Sequence, residues 1–498
     1  MKMAAAALPT TVVLRADSSK KYYLRYVHQG GDKHQCMESS GETVLSPFAK
    51  LELECAKDTP AAQGLFHIRC CSNNRYLQLA QANKETNKID PRIVAAAKSP
   101  EEDQSKTTCT LFKVTVLSDD PTAPGGRQLS INLLHVNLNQ YAHISSSPDS
   151  KYGSCLFVGD TAQDSDRAFH VTNWESLVFL PKYITFKGEN GRYLSAYEGK
   201  YGHRLGFRVD EIGDPTVGFE ISANHDGTVR IKSMDTGLFW QYTTSTMVVP
   251  WASGEAGTDD DDETTFFQPV KVKDNAIALR TVSPHRNYCS TMLSGYKNED
   301  ELHAMDRNVT RFAQLEVAEF VISRKIYNVD FRLTEGRIYN HNVVVKGKGV
   351  AVNSTEKPNT ASVRLSYRDV KSSSWRAGLS LKVGVKSTLS VGLKILKIFK
   401  MRGQLELSAQ LAGSYHWGET DDEASRVETT YQVVVPPMSK VTVAAMACTA
   451  TCDVSFSHTQ HDTLYNGRQV ISVVDGGIYT GTQSYDMKYE TKVEKLAS

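Results

Sequence analysis

The sequence predicts an all-β fold: two tandem β-trefoils over residues 1–177 and 178–322, followed by an elongated β domain over 323–498. Three observations carry this expectation. Short apolar runs are broken by Gly, Asn, Asp and Pro, and no long segment has the 3.6-residue period of a helix. One long pattern occurs twice in tandem, and within each copy a shorter unit occurs three times.

The first copy opens LPTTVVLRADSSKKYYLRYV from Leu8, and the second opens LPKYITFKGENGRYLSAYEG from Leu180. Their middles correspond, GLFHIRCCSNNRYLQL (64–79) against GTVRIKSMDTGLFWQY (227–242), as do their third parts, LLHVNLNQYAHI (133–144) against LRTVSPHRNYCSTM (279–292). The acidic loops SPEEDQS (99–105) and TDDDDET (258–264) fall at matching places. In each unit a polar turn precedes an aromatic, and in the second copy Tyr193, Phe239 and Tyr288 recur every 46 to 49 residues. Three hairpins closing on one core make a trefoil, and these aromatics are expected to fill that core.

After AQLEVAEFVISRK the strands lengthen and Ser and Thr become frequent. The segment 379–411 alternates strongly. Leu379, Leu381, Val383, Val385, Leu389, Val391, Leu393 and Ile395 hold odd positions, and Phe399, Met401, Leu405, Leu407, Ala409 and Leu411 continue them. Lys382, Lys386, Ser390, Gln404 and Glu406 are among the polar even positions. Period two over more than thirty residues makes a hairpin folding back near 396–398, where Leu396 and Ile398 render the tip apolar on both faces. Trp375 and Trp417 are symmetric about residue 396. Roughly 9–11 residues per strand cross a bilayer, and each arm has more. In lipid the odd face would meet acyl chains and the even face would line water. A lone hairpin leaves its edge amides unpaired, so a barrel built from it must be a homo-oligomer. Two other readings remain open: a half-buried strand pair in an ordinary sandwich, or an amphipathic helix at VGLKILKIFKM.

Lys plus Arg (57) nearly cancel Asp plus Glu (56), so no global field argues for nucleic acid. No window holds the roughly 20 apolar residues of a spanning helix. The start, MKMAAAALPT, is too short for a signal-peptide core. The expectation is a soluble protein of the cytoplasm, or of nucleus and cytoplasm, that acts at membranes after oligomerising. Nine cysteines, an odd number without regular spacing, read as reduced thiols. The sequons at Asn308 and Asn353 should then stay bare.

Enzyme chemistry finds no support. His458 and His461 fall on opposite faces of a strand, a poor metal pair. KGKGV (346–350) lacks the strand-to-helix setting of a phosphate loop, and the acidic run 259–262 reads as a solvated loop. Neither cofactor nor metal is expected. Tyr76, Trp240, Tyr242 and Trp251 are candidates for an aromatic platform, with core packing as the bland alternative.

The two copies resemble the paired trefoils of the amaranthin-type plant lectins, most closely at LPKYITFKGENGRYLSA, IGDPTVGFEI and GTVRIKSMDTGLFW. The remainder resembles the aerolysin-like pore-forming module, through WRAGLSLKVGVKSTL, GSYHWGET, VETTYQVVVPPMSKVTV and HDTLYNGR. The resemblance implies glycan binding of galactose and N-acetylgalactosamine type, at a shallow site shared between subunits. The lectins carry it on the loop after the second repeat with a Ser-Pro-Asn and aromatic pattern. This chain has LAQANKETNKIDPRIV there, where Asn83 matches the Asn and the aromatics are missing. For the tail it implies ring assembly and insertion of the hairpin. The sequence thus reads as a lectin coupled to a pore former, a defence cytolysin. A glycan-binding dimer with a structural stalk is the alternative, and a glycan-processing enzyme finds no placed acid–base pair.

Overall fold

The computed structural model describes residues 8–19, 21–28, 31–57, 64–81, 90–121, 123, 127–145, 151–159, 167–199, 202–243, 248–251, 262–282, 286–291, 300–376, 387–389, 396–398, 405–407 and 420–496. The fold is all-β. By packing, the chain forms two compact units: residues 1–324 with 378–385 and 461–471, and residues 325–377 with 386–460 and 472–498.

The first unit holds two closed six-stranded barrels. In the first, Thr11–Ala16 pairs with Leu51–Cys55 and with Phe169–Asn173. The ring continues through Leu65–Cys70 and Leu111–Asp120 to Gln128–His135, which returns to Phe169–Asn173. The second barrel repeats this with Tyr183–Lys187, Phe219–Ala223, Val229–Ser233, Phe267–Lys273, Ala276–Thr281 and Leu315–Glu319. Closure removes every edge from the barrel. Between the barrel strands stand three hairpins per domain: Tyr23–Tyr26 with Met37–Gly41, Arg75–Ala80 with Asp90–Ala97, and Gln140–Ile144 with Leu156–Gly159. Their second-domain counterparts are Tyr193–Gly199 with Gly202–Val209, Phe239–Tyr242 with Val248–Trp251, and Tyr288–Thr291 with Leu302–Asp306. Six barrel strands and three hairpins are a β-trefoil, twice over.

The repeated polar turns have a backbone cause. Two residues before the recurring aromatic, φ is positive at Asn74, Asn139, Gly191, Gly237 and Arg286. Asn and Gly accept that conformation readily, which is why the turns read as polar. The aromatics themselves correct the expectation that they fill the core. Tyr193, Phe239 and Tyr288 are half-buried, each opposite a cation in the adjoining strand: Lys187, Lys232 and Arg280. The core of the second barrel is built instead from Phe186, Leu194, Phe219, Trp240, Phe267 and their neighbours.

The second unit is made of long strands. Arg337–Asn353 lies against Ser439–Leu464, and Asn359–Arg376 against Thr420–Val435 in a ladder running without a bulge from Asn359 opposite Val435 to Ser374 opposite Thr420. Gln469–Lys495 meets the same strand near Trp375, opposite Tyr479. Two apolar clusters hold these layers. One is centred on Trp375, Phe456 and Tyr479, and the other on Val363, Leu365, Val441 and Val443. KGKGV is the interior of the Arg337–Asn353 strand, and its Lys346 pairs with Asp369 at 3.2 Å. Asn353 is buried, donating to the carbonyls of Lys357 at 2.8 Å and Val435 at 3.0 Å.

The turn 461–471 belongs to the first unit. Leu464 and Tyr465 pack with Tyr183, Val217 and Phe320 of the second trefoil. Beside them Arg324 donates to Asp462 (2.7 and 2.9 Å) and Glu319 (2.7 and 3.1 Å), all three buried. A buried guanidinium so fully paired fixes geometry, because leaving any partner alone would strand a charge.

Candidate functional site

The aromatic candidates separate by strand alternation. Trp240 is 0% exposed and packs among Phe186, Phe219 and Phe267, with ring centroids 5.5, 5.0 and 6.0 Å away. Tyr242, two positions on, is 4% exposed in the same core. Tyr76 is 3% exposed, and its hydroxyl donates to Glu54 at 2.7 Å, beside Arg69, which bonds Glu54 at 2.9 Å and Asn74 at 2.9 Å. These three are therefore not a platform for a ligand: successive side chains of a strand take opposite faces, and these took the inner one. Trp251 stands opposite Phe239 in the backbone ladder. Asn83 lies outside the described residues, between Ala80 and Asp90, which are paired.

The hairpins of the second trefoil bring together a polar cluster that sequence reasoning missed. The Tyr197 hydroxyl donates to Glu301 at 2.7 Å, and the Arg208 guanidinium lies 3.7 Å over the Tyr197 ring. Arg208 is held in turn by Asp300 at 3.0 Å. Nε2 of His303 stands 3.7 Å from Oε2 of Glu301, and each of those atoms is buried without a hydrogen-bond partner among the described residues. Burial holds the His303 imidazole below its ordinary value, with Glu301 pulling it up and Arg204 pushing it down. Burial, then the carboxylate of Glu301, pushes the Tyr197 phenol up. Glu301 and His303 are the buried part of this cluster; its accessible part, the Tyr197 ring beside the Arg208–Asp300 pair, suits a neutral polyhydroxylated ligand. The signal available in sequence was only the pair Asp300-Glu301, a hundred residues from Tyr197.

For the alternating segment, three short stretches are described. Ser387–Leu389 stands at an edge of the sheet of the second unit. Leu396–Ile398 pairs with Leu405–Leu407, setting Leu396 opposite Leu407, Lys397 opposite Glu406 and Ile398 opposite Leu405. In this conformation the fold-back therefore falls between 398 and 405, so Leu396 and Ile398 are strand residues and not the tip. The physical reason is the adjacent apolar pair Ile395-Leu396, which lets the alternation slip by one position. Val385, Val391, Leu393, Ile395, Phe399 and Met401 lie outside the described residues, as do Lys382, Lys386, Ser390, Gln404 and Trp417. No helix of the described residues is long and apolar enough to cross a membrane. Nor is there a cluster of three or more metal-ligating side chains among them. Asp262, which closes the acidic run, caps a turn by accepting from Thr264 N at 3.0 Å and Thr264 Oγ1 at 2.6 Å.

Among solved structures, the hemolytic lectin CEL-III is 10% identical, with 95% of this chain and 91% of that one covered and a TM-score of 0.32. A lamprey immune protein is 12% identical, with 76% and 90% covered and a TM-score of 0.29. The parasporin-2 toxin of Bacillus thuringiensis is 19% identical over 34% of this chain and 74% of its own, with a TM-score of 0.21. At these scores the likenesses carry neither arrangement nor function to this chain. No curated protein matches it in sequence. The agglutinin domain model matches residues 6–173, the first trefoil, and again 178–294, the second as far as the strand Tyr288–Thr291, together more than half of the chain. The chain belongs to the agglutinin-domain family.

Proposed function

We propose that this protein is a glycan-binding lectin coupled to a membrane-inserting β module: the trefoils dock on galactose- or N-acetylgalactosamine-bearing surfaces, copies assemble, and the 379–411 hairpins form a barrel. In this reading the cluster around Tyr197, Glu301 and His303 is one sugar contact and the loop bearing Asn83 another. Soluble in the cytoplasm when made, the protein acts as a defence cytolysin on the membranes of an attacker.

The supporting observation is a mismatch of register. In the ladder of Asn359–Arg376 with Thr420–Val435, paired residue numbers always add to 794, as 374 with 420. Continued inward, that register pairs Leu389 with Leu405, Leu393 with Met401 and Ile395 with Phe399, with the apex at Lys397. The odd-numbered apolar residues then fall on one face, and Lys386 with Ser408 and Ser390 with Gln404 on the other, with Leu396 and Ile398 beside the apex. The described 396–398 and 405–407 pair has a different sum, 803, as 396 with 407. The segment thus has two registers available: a local one, described here, and a longer one written into its alternation and into the ladder that feeds it. Conversion requires Ser387–Leu389 to leave its sheet edge, and shielding the new edges requires neighbouring copies.

Dye release from liposomes with and without terminal galactose or N-acetylgalactosamine tests the reading. Wild type should release dye only from the glycan-bearing vesicles. Glu301→Gln should bind them more weakly. Ile395→Asp with Phe399→Asp should bind as wild type but release nothing, since charged side chains on the lipid-facing side of a barrel strand are destabilising. Binding without leakage by wild type would favour the alternative, a lectin whose β unit is structural, for which the sheet edge already occupied by Ser387–Leu389 speaks.

A further inference from the structure

Three hairpins of the first trefoil converge on a pair of thiols. Cys36 leads into the first hairpin and Cys155 into the return strand of the third, and each has 0% of its surface exposed. The backbone bridges Glu38 to Cys155 and Cys36 to Val94, so strands from all three hairpins meet here. Cys36, Val94 and Cys155 pack together in one buried cluster. From the second hairpin Arg92 directs Nη1 to Cys36 Sγ at 3.9 Å, while its guanidinium lies 3.7 Å over the Tyr152 ring and Nε bonds Asp90 at 2.9 Å. Lys33 is anchored on Glu38 and, at 3.1 Å, on the Gly153 carbonyl, placing a second cation alongside.

We propose that Cys36 and Cys155 form a redox-convertible dithiol site that peroxide oxidises to a disulfide, stapling the first hairpin to the third. Contact with Cys155, and then Arg92, bring the Cys36 thiol down to about 7, whereas the same contact pushes Cys155 up. Burial instead drives Cys71 up to about 11 and Cys452 up to about 12. One nucleophile and one neighbouring thiol is the division of labour that disulfide formation needs.

The step balances. The Cys36 thiolate attacks one oxygen of hydrogen peroxide, whose O–O bond breaks; the departing hydroxide takes a proton and leaves as water, and Cys36 becomes a sulfenic acid. The Cys155 sulfur then attacks the Cys36 sulfur, loses its proton and expels the second water. Two thiols are oxidised and one peroxide is reduced to two waters. Because neither sulfur is exposed, the rate follows opening of the hairpins.

Full-length protein purified under reductant, exposed to hydrogen peroxide, alkylated after unfolding and mapped by mass spectrometry provides the test. The expected product is one cross-link between the Cys36 and Cys155 peptides, with the exposed Cys55 as the control for unpaired oxidation. The melting temperature should rise by several degrees on oxidation of wild type and by nothing in Cys36→Ser or Cys155→Ser. Arg92→Met should form the same cross-link several-fold more slowly. A cross-link between other cysteines, oxidation of Cys36 that never joins Cys155, or no reaction at the pair would each overturn the proposal.

Discussion

A single residue decides most where burial and alternation disagree with composition. Phe239 and Trp240 are adjacent aromatics, yet one is half-buried under Arg230 at 4.2 Å and the other sits in the core. Trp240→Ala should cost roughly 3–5 kcal/mol and Phe239→Ala far less, which chemical denaturation will separate. Any loss of glycan retention in the Trp240 variant should then track the unfolded fraction. Arg286 holds φ at 54°, where its counterparts in the other turns are Asn or Gly. Arg286→Asn should therefore stabilise, by roughly 0.5–1 kcal/mol, and a higher denaturation midpoint at unchanged slope would show it. Asp462→Ala leaves Arg324 paired with Glu319 alone and should cost roughly 1–3 kcal/mol, whereas Arg324→Met strands two buried carboxylates and should cost about 3–5 kcal/mol, a difference that chemical denaturation of the two variants will show.

At the scale of the element, the long strands are governed by how closely they approach one another. A side chain on Gly349 would meet Val363 Cγ1 at 2.3 Å and Leu365 Cδ2 at 3.0 Å. The glycine of KGKGV thus serves packing between layers. Gly349→Val should overpack that seam and cost roughly 1–3 kcal/mol, seen in a thermal melt, without altering glycan binding by the trefoils. The same strand geometry makes register the variable of interest in 379–411. A ladder of sixteen pairs without a bulge favours its own continuation, and among the described residues the 396–398 pairing and the sheet-edge place of Ser387–Leu389 stand out of phase with it.

Across the whole molecule, acid should be destabilising, and two histidines set part of the effect. Burial holds His135 and His303 below their ordinary value near 6.5, so between that value and their lower folded values the unfolded chain binds more protons than the folded one. Stability therefore falls as pH drops below about 6.5 and levels off once both are protonated in the fold. Melting of the full chain from pH 7.5 to 4.5 should show the decline. In His135→Gln it should be shallower, because one titrating site is gone; an identical slope would remove His135 from the account. The carboxylates act in the same direction, since Arg92 holds Asp90 below the usual range and acid removes that pairing.

The duplication, the three-unit repeat and the alternation of 379–411 were legible from the residues because each is periodic, and period reports local geometry. The polar turns were legible for a related reason: a positive φ leaves its mark as Asn or Gly at one fixed offset from the aromatic. Which aromatic faced inward was not legible at FWQY, since both parities carry a ring and only barrel closure selects Trp240 and Tyr242. Nothing in the spacing joins Tyr197 to Glu301, or Cys36 to Cys155 and Arg92, because each set assembles across hairpins distant in sequence. Alternation written along one strand says which residues share a face; which residues of other strands meet them is decided only when the sheet closes.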